Sequence, residues 1–290
     1  MKQIALKIDV DTCRGTQTGV PALVEVLRNA GAQATFFFSL GPDRSGRASG
    51  PDSLKRYYDL STRLYGRLLP APDIGTRCAD ILRQTHESGF EAGIHAWDRT
   101  LWEEEILEAG GDFAESAMEK AGKRFATLFG TAPEAHAAAG WRMNRHALRL
   151  TQRKGFSYAS DCRGNHPFLP VIDGELIDCP QIPTTLPTLD EILALEPGLT
   201  PDQAVDRIFQ LSTAIPGDHV FTLRAELEGI RYTSAFERLV SQWKNSGHVP
   251  VALRDIRASL KVEDLPRHSV EFAPLPGRAG NRMVQGEAFP

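Results

Sequence analysis

This chain has little of what stitches or anchors a protein. Its 290 residues hold four cysteines, Cys13, Cys78, Cys162 and Cys179, widely spaced and without a Cys-x-x-Cys pair. A thiolate zinc site and a disulfide framework are both disfavoured by that spacing, and reduced cytosolic thiols are the expectation. No apolar run reaches 18 residues, so no spanning helix is expected, and Met1-Lys2-Gln3 enters a strand pattern without a signal peptide. The location expected is cytoplasmic, or peripheral on a membrane. There is also no basic excess: the net charge is −4 and no concentrated basic face is visible, which argues against nucleic acid as a partner. Neither a repeat nor a Pro/Ser/Gly-rich linker divides the chain, so one domain is expected over residues 1–262. Residues 263–290 are poor in periodic apolar positions and are expected to lie over the surface or fray.

What is present is a rhythm. Short runs rich in Ile, Val and Phe near residues 4–10, 34–40, 90–95, 134–141, 157–161, 219–223 and 249–253 alternate with helical patterns, which implies βα units, a parallel sheet and an α/β barrel. Helix 20–30 carries Pro21 in its first turn and Gly31 after its last, and helix 112–129 is followed by Gly130 and Pro133. One stretch interrupts the rhythm, an insertion near 51–72. Between Ser53 and Leu69, leucines and tyrosines fall at helical spacing among Lys55, Arg56, Arg63 and Arg67, with Asp59 the single acid. Its net charge of +3 suits either a basic amphipathic helix on anionic lipid or a helix packed on the barrel with its charges solvated.

The chemistry begins at Ile8-Asp9-Val10-Asp11-Thr12. Alternate strand residues share a face, so Asp9 and Asp11 point the same way, roughly 6.6 Å apart along the chain, while Ile4, Leu6, Ile8 and Val10 take the other face. Carboxylates ending a buried strand are costly unless a metal, a cation or a reaction uses them, although a capped turn with surface ion pairs fits the same spacing. Catalytic groups of parallel βα folds gather at the carboxyl ends of strands. The residues there are Asp9 and Asp11, then His95-Ala96-Trp97-Asp98-Arg99, Ala138-Ala139-Gly140-Trp141-Arg142, Ser160-Asp161-Cys162-Arg163-Gly164 and Thr222-Leu223-Arg224-Ala225-Glu226.

In this order, and with IDVDT, RGTQTGVP, FFFSLGPD, GIHAWD, AAAGWR, SDCRG, QIPTTLPT and TLRAELEG as they stand, these segments resemble the polysaccharide deacetylase family, carbohydrate esterase family 4, over about residues 4–260. The resemblance implies a distorted seven-stranded (β/α) barrel and a metal-dependent amide hydrolase of the deformylase and deacetylase type. It is strongest to members that remove a formyl group from undecaprenyl phosphate-linked 4-formamido-4-deoxy-arabinose, on the cytoplasmic face of the inner membrane and in the service of lipid A modification. Carried over residue by residue, Asp9 is the general base, Asp11 and His95 are ligands to a divalent metal, most naturally zinc, and Arg142 restrains Asp9. Asp161 orients the general acid, and Trp97, Trp141 and Glu226 contact the sugar.

Two positions depart from the family's pattern. Arg99 stands where a second histidine ligand is expected, and Arg224 where a histidine acid is expected. Arginine neither ligates a metal usefully nor gives up a proton near neutrality. Two functions from different classes follow: a metal-dependent amide hydrolase with an altered site, or a catalytically silent homologue, with no metal bound, that holds a sugar-phosphate lipid or a partner protein. Arg224 is expected to pair with Asp161, and His136, His146 and His166 have no ligand spacing.

Overall fold

A computed structural model describes residues 2–49 and 54–290, with Leu54 described only in its backbone. Among the described residues eleven strands run in chain order: β1 (Gln3–Val10), β2 (Thr35–Ser39), β3 (Glu91–Ala96), β4 (Ala135–His136), β5 (Tyr158–Ala159), β6 (Leu169–Ile172), β7 (Glu175–Leu176), β8 (His219–Arg224), β9 (Val249–Val251), β10 (Arg267–Pro274) and β11 (Asn281–Ala288). Seven of them form one parallel sheet in the order β5-β4-β3-β2-β1-β8, with β9 added to the start of β1. β8 occupies one edge of β1 from Ile4 to Asp9. The other edge is therefore shared end to end, by β9 along Gln3–Ala5 and by β2 along Lys7–Val10.

The gap between β5 and β8 is closed by the extended chain at 180–186. Ile182 N–H donates to the Ala159 carbonyl at 2.8 Å, and the N–H groups of Thr185 and Leu186 donate to the Val220 carbonyl at 3.1 and 3.2 Å. The seven strand segments and the curled parallel sheet expected from the resemblance are present.

Side-chain alternation on β1 sets the interior. Ile4, Leu6, Ile8 and Val10 pack outward with Val20, Leu23, Leu27 and Phe36 under the helices. Ala5 faces inward with Phe37, Ala135, Tyr158 and Val220 as the floor of the barrel. Lys7, Asp9 and Asp11 continue that inner face toward the carboxyl end, each buried.

Two expectations are corrected. The strand expected over 134–141 stops at His136, because Gly140 (φ 61°) and Trp141 (φ 53°) turn the backbone into the left-handed region. Trp141 tolerates a conformation disfavoured for a bulky residue inside a closely packed site, its Nε1–H bonded to Thr184 Oγ1 at 3.2 Å. The insertion near 51–72, whose residues 51–53 lie outside the described residues, is not one helix. A 3₁₀ turn (Leu54–Tyr57), a helix of five residues (Leu60–Leu64) and a tight turn through Leu69 make it up, broken where Asp59 adopts an extended conformation.

The segment 263–290 lies over the surface and does not fray. β10 and β11 form an antiparallel hairpin, β10 joins β6, and the hairpin buries Met283 completely. The barrel and this hairpin therefore share a core. Met283→Ala should lower unfolding free energy by about 2–4 kcal/mol, as for other buried methionines. Urea denaturation checks this, and a change near zero would mean that the hairpin is not docked.

Candidate active site

Lys7, Asp9 and Asp11 enter the barrel from one strand, and their charges are met from several others. Lys7 Nζ lies 3.4 Å from Asp9 Oδ1 and 5.3 Å from the centre of the Trp141 ring. Burial lowers the Lys7 pKa, with Asp9 and Asp161 pulling against it. His95, from the end of β3, has Nδ1 2.8 Å from the Ala137 carbonyl and 3.8 Å from Asp9 Oδ1, and its Nε2 is 3.1 Å from Asp11 Oδ1. Burial pushes this imidazole toward its neutral form, but Asp9 and Asp11 outweigh burial and its pKa is raised.

Arg99 opens the helix Arg99–Glu105, whose N-cap Asp98 accepts from Leu101 N–H at 3.0 Å and from Arg44 Nη1 at 2.6 Å. The cap turns Arg99 inward. Its Nε lies 3.4 Å from Asp11 Oδ2 and its Nη2 3.0 Å from Glu103 Oε1. Arg224, at the end of β8, approaches the same Asp11 oxygen at 4.0 Å. Burial alone would raise the Asp11 pKa, yet Arg99, His95 and Arg224 together hold it well below the usual carboxylate range.

Glu226 completes this cluster from the loop after β8. Its Oε1 accepts from the N–H of Asp11 at 3.0 Å and from the N–H and Oγ1 of Thr12 at 2.8 Å each. Gly15 permits that approach, since a Cβ there would sit 1.9 Å from Glu226 Oε1. Burial and the Asp11 charge push the Glu226 carboxyl up to about 7. Burial pushes Glu228, which accepts from Arg224 N–H, up to about 8.

Arg224 and Asp161 are not partners. Asp161 is satisfied by His136 Nδ1 at 2.7 Å, Ala138 N–H at 2.7 Å and Gln181 Nε2 at 3.2 Å. Arg224 bonds instead to Asp190 Oδ2 at 2.9 Å. Asp190 also takes Arg278 Nη1, from the turn of the C-terminal hairpin, at 2.7 Å, while Glu191 takes Arg278 Nε at 2.9 Å and Arg163 Nη1 at 2.8 Å.

Arg142 is placed differently as well. It donates to the Glu103 carbonyl, and the cation on Asp9 is Lys7. Trp141 is enclosed by Lys7, Arg163 and Arg278, with their cationic groups 5.1–5.5 Å from its ring centre. Trp97 packs on the outer core beneath the Arg124 guanidinium, 5.2 Å away. Neither tryptophan stands as an open wall for a sugar.

Sequence reasoning missed Lys7, Tyr58, Asp190, Glu191, Arg278 and Glu228. Lys7 was within reach, because alternation in Lys7-Ile8-Asp9-Val10-Asp11 puts it on the acidic face. Thr188-Leu189-Asp190-Glu191 forms a helix-capping box, which reads as a helix start and gives no hint that Asp190 faces Arg224. Arg278 had no local signal.

Several buried polar atoms in this cluster lack a hydrogen-bond partner within the protein: Asp9 Oδ1, Asp11 Oδ1, Glu226 Oε2, Arg99 Nε and Nη1, and Tyr58 Oη. Unmet donors and acceptors carry a desolvation cost of about 1–3 kcal/mol each, which a polar ligand recovers. A metal is a different matter. Asp11 Oδ1 and His95 Nε2 converge, but the third corner is a guanidinium that has only donors. Among the described residues no group of three His, Cys, Asp or Glu side chains could hold a metal ion. The donor set therefore does not fit the three protein ligands usual for catalytic zinc.

No protein-family model matches the chain. It is 36% identical over 256 residues to a Shewanella sediminis protein assigned as the 4-deoxy-4-formamido-L-arabinose-phosphoundecaprenol deformylase ArnD, covering 84% of this chain and 82% of that one. It is 30% identical over 286 residues to the same-named protein of Wigglesworthia glossinidia brevipalpis, covering 92% and 96%. Among solved structures, a protein from Mycobacterium smegmatis described as a polysaccharide deacetylase superimposes with a TM-score of 0.68 at 16% identity over 94% of this chain and 96% of that one. A carbohydrate esterase family 4 pseudoenzyme from Bacillus anthracis superimposes with a TM-score of 0.57 at 13% identity over 92% and 69%. The structural likenesses establish the fold, and the identity to the two deformylases, sustained over most of both chains, goes further: this chain belongs to the ArnD deformylase family, on the polysaccharide deacetylase fold.

Proposed function

We propose that the chain is an amide hydrolase of the deformylase and deacetylase class, acting on the 4-formamido group of an aminoarabinose carried on a polyprenyl phosphate. The observation that carries this reading is Asp9, Asp11 and His95 gathered at the carboxyl end of the barrel beside buried polar atoms without partners. The substrate is taken from the names of the two relatives. In this reading Asp9 accepts the proton of the attacking water. Arg99 Nη1, an unpartnered donor in a low-dielectric pocket, is placed to meet charge developing on the acyl oxygen. Glu226, its carboxyl pushed up to about 7 and so partly protonated at neutral pH, is the acid for the departing amine.

A second reading is favoured by one specific observation. Both arginines stand on Asp11, and neither can shed a proton near neutral pH. On that reading the pocket binds the same sugar-phosphate lipid without cleaving it.

Release of formate by the purified chain from a formamido-sugar lipid separates the two. The hydrolase reading expects turnover that Asp9→Asn lowers by about 100-fold or more. Saturable lipid binding without formate would establish the silent homologue instead.

Zinc should leave the melting temperature of the unaltered chain where it is. Arg99→His adds a ligand and removes a cation in one step, so zinc should then raise melting by about 5 °C. Calorimetry with and without zinc reads both, and zinc stabilisation of the unaltered chain would show that the donor set has been misjudged.

Stability should depend on pH through two of the buried glutamates, Glu226 and Glu228. Both carboxyls have pKa values raised from 4.5, Glu226 to about 7 and Glu228 to about 8. The folded chain therefore holds protons that the unfolded chain has released, and stability declines as pH rises from 4.5 to about 8. Glu228→Gln should flatten the upper part of that decline in urea titrations, and an unchanged slope would remove Glu228 as its source.

A further inference from the structure

Cys13 and Cys78 meet where three connections of the barrel converge. Cys13 follows Asp11 and Thr12 past the end of β1, and its N–H donates at 2.9 Å to Asp43 Oδ2, in the chain that leaves β2. Cys78 stands at the junction of the helices Ile74–Arg77 and Ala79–Glu87, ahead of β3. The two sulfurs lie 3.5 Å apart, and Cys78 Sγ also reaches the Cys13 carbonyl at 3.8 Å. Both thiols are free, and they share a buried cluster with Ile74.

The other two cysteines face oxygens instead. The Cys162 thiol lies 3.8 Å from Gln181 Oε1, and the Cys179 thiol 3.7 Å from the Phe156 carbonyl. A disulfide holds its sulfurs about 2.05 Å apart, so Cys13 and Cys78 close by a movement of roughly 1.5 Å shared between two side chains. They are 1% and 2% exposed, and an oxidant that reaches them has to be little larger than water. Hydrogen peroxide meets that limit.

We propose that Cys13 and Cys78 form a dithiol that hydrogen peroxide closes to a disulfide, stapling the segment that carries Asp11 to the helices ahead of β3. One sulfur attacks a peroxide oxygen and becomes a sulfenic acid, while its thiol proton leaves with the departing hydroxyl as water. The second thiol attacks that sulfur, the S–S bond forms, and the sulfenic hydroxyl leaves with the remaining thiol proton as a second water. Two thiols are oxidised and one peroxide is reduced to two waters. A dithiol reductant reverses the bond by exchange. The staple acts on the site through Thr12, whose N–H and hydroxyl hold Glu226 Oε1 at 2.8 Å each, beside the Asp11 N–H at 3.0 Å. It requires only the placement of Asp11 and Thr12, and holds for a hydrolase and for a silent homologue alike.

The test uses the full chain and needs no substrate. The reduced protein is exposed to a modest excess of hydrogen peroxide, unfolded in iodoacetamide, digested and read by mass spectrometry. Cys162 and Cys179 should be alkylated, and Cys13 and Cys78 should appear as one cross-linked peptide from chains that remain monomer-sized on a non-reducing gel. Dithiothreitol should return all four thiols, and Cys78→Ser should abolish the cross-link. Hydrogen exchange supplies a second readout. The amides of Asp11 and Thr12 should exchange about fivefold more slowly once the bond has closed, and peroxide should leave them unchanged in Cys78→Ser. Four alkylated cysteines after peroxide, a bond to Cys162 or Cys179, or irreversible oxidation of an unlinked Cys13 would each overturn the proposal, whether or not the variant folds. A closed bond with unaltered exchange at Asp11 and Thr12 would overturn it too, since the bond would then not act on the site.

Discussion

Everything at the carboxyl end of this barrel follows from placing unlike charges inside it on one strand. Alternation on β1 commits Lys7, Asp9 and Asp11 to the interior, where an unmatched ion costs several kcal/mol. The rest of the site meets that cost. Lys7 faces Asp9, His95 bridges both aspartates, and Arg99 and Arg224 take the far oxygen of Asp11. Each arginine brings a surplus charge that another acid must meet, Glu103 for Arg99 and Asp190 for Arg224. The demand for counter-charge thus spreads outward until it reaches the C-terminal hairpin.

This arrangement explains how Arg99 and Arg224 can stand inside the barrel without loss of the fold. A guanidinium supplies in one side chain the positive charge that the neighbouring carboxylates require, and its planar fork can face two acids at once. Arg224 does so between Asp11 and Asp190, and Arg99 between Asp11 and Glu103. Whether the pocket turns over substrate is a separate property from whether its charges balance.

The barrel was legible in the sequence because periodicity and strand length are local properties. β1, β2, β3, β8 and β9 fall where runs of Ile, Val and Phe mark them. β4 was overread because the apolar residues at 137–141 pack in a turn, and composition does not distinguish a buried turn from a strand. The strand-end rule likewise found Asp9, Asp11, His95, Arg99, Arg224 and Glu226, which the fold brings together. Pairings were less legible. Asp161 prefers His136 and Arg224 prefers Asp190 because each choice depends on side chains 25 and 34 residues distant, and no spacing rule reports those contacts. The basic insertion showed its composition but not its outward leucines, Leu60 and Leu68, since Asp59 breaks the helix that would have turned them in.

Arg278 follows the last strand of the parallel sheet, β9, in sequence, yet it bonds Asp190 and Glu191 in the interior. A nascent chain emerging from the ribosome can close the seven-stranded sheet once β9 is made, but the cation that settles Asp190 arrives only with the turn between β10 and β11. Balance of the charge network is thereby tied to synthesis of the hairpin, and a chain cut short before residue 278 would carry a formed barrel around an unbalanced interior.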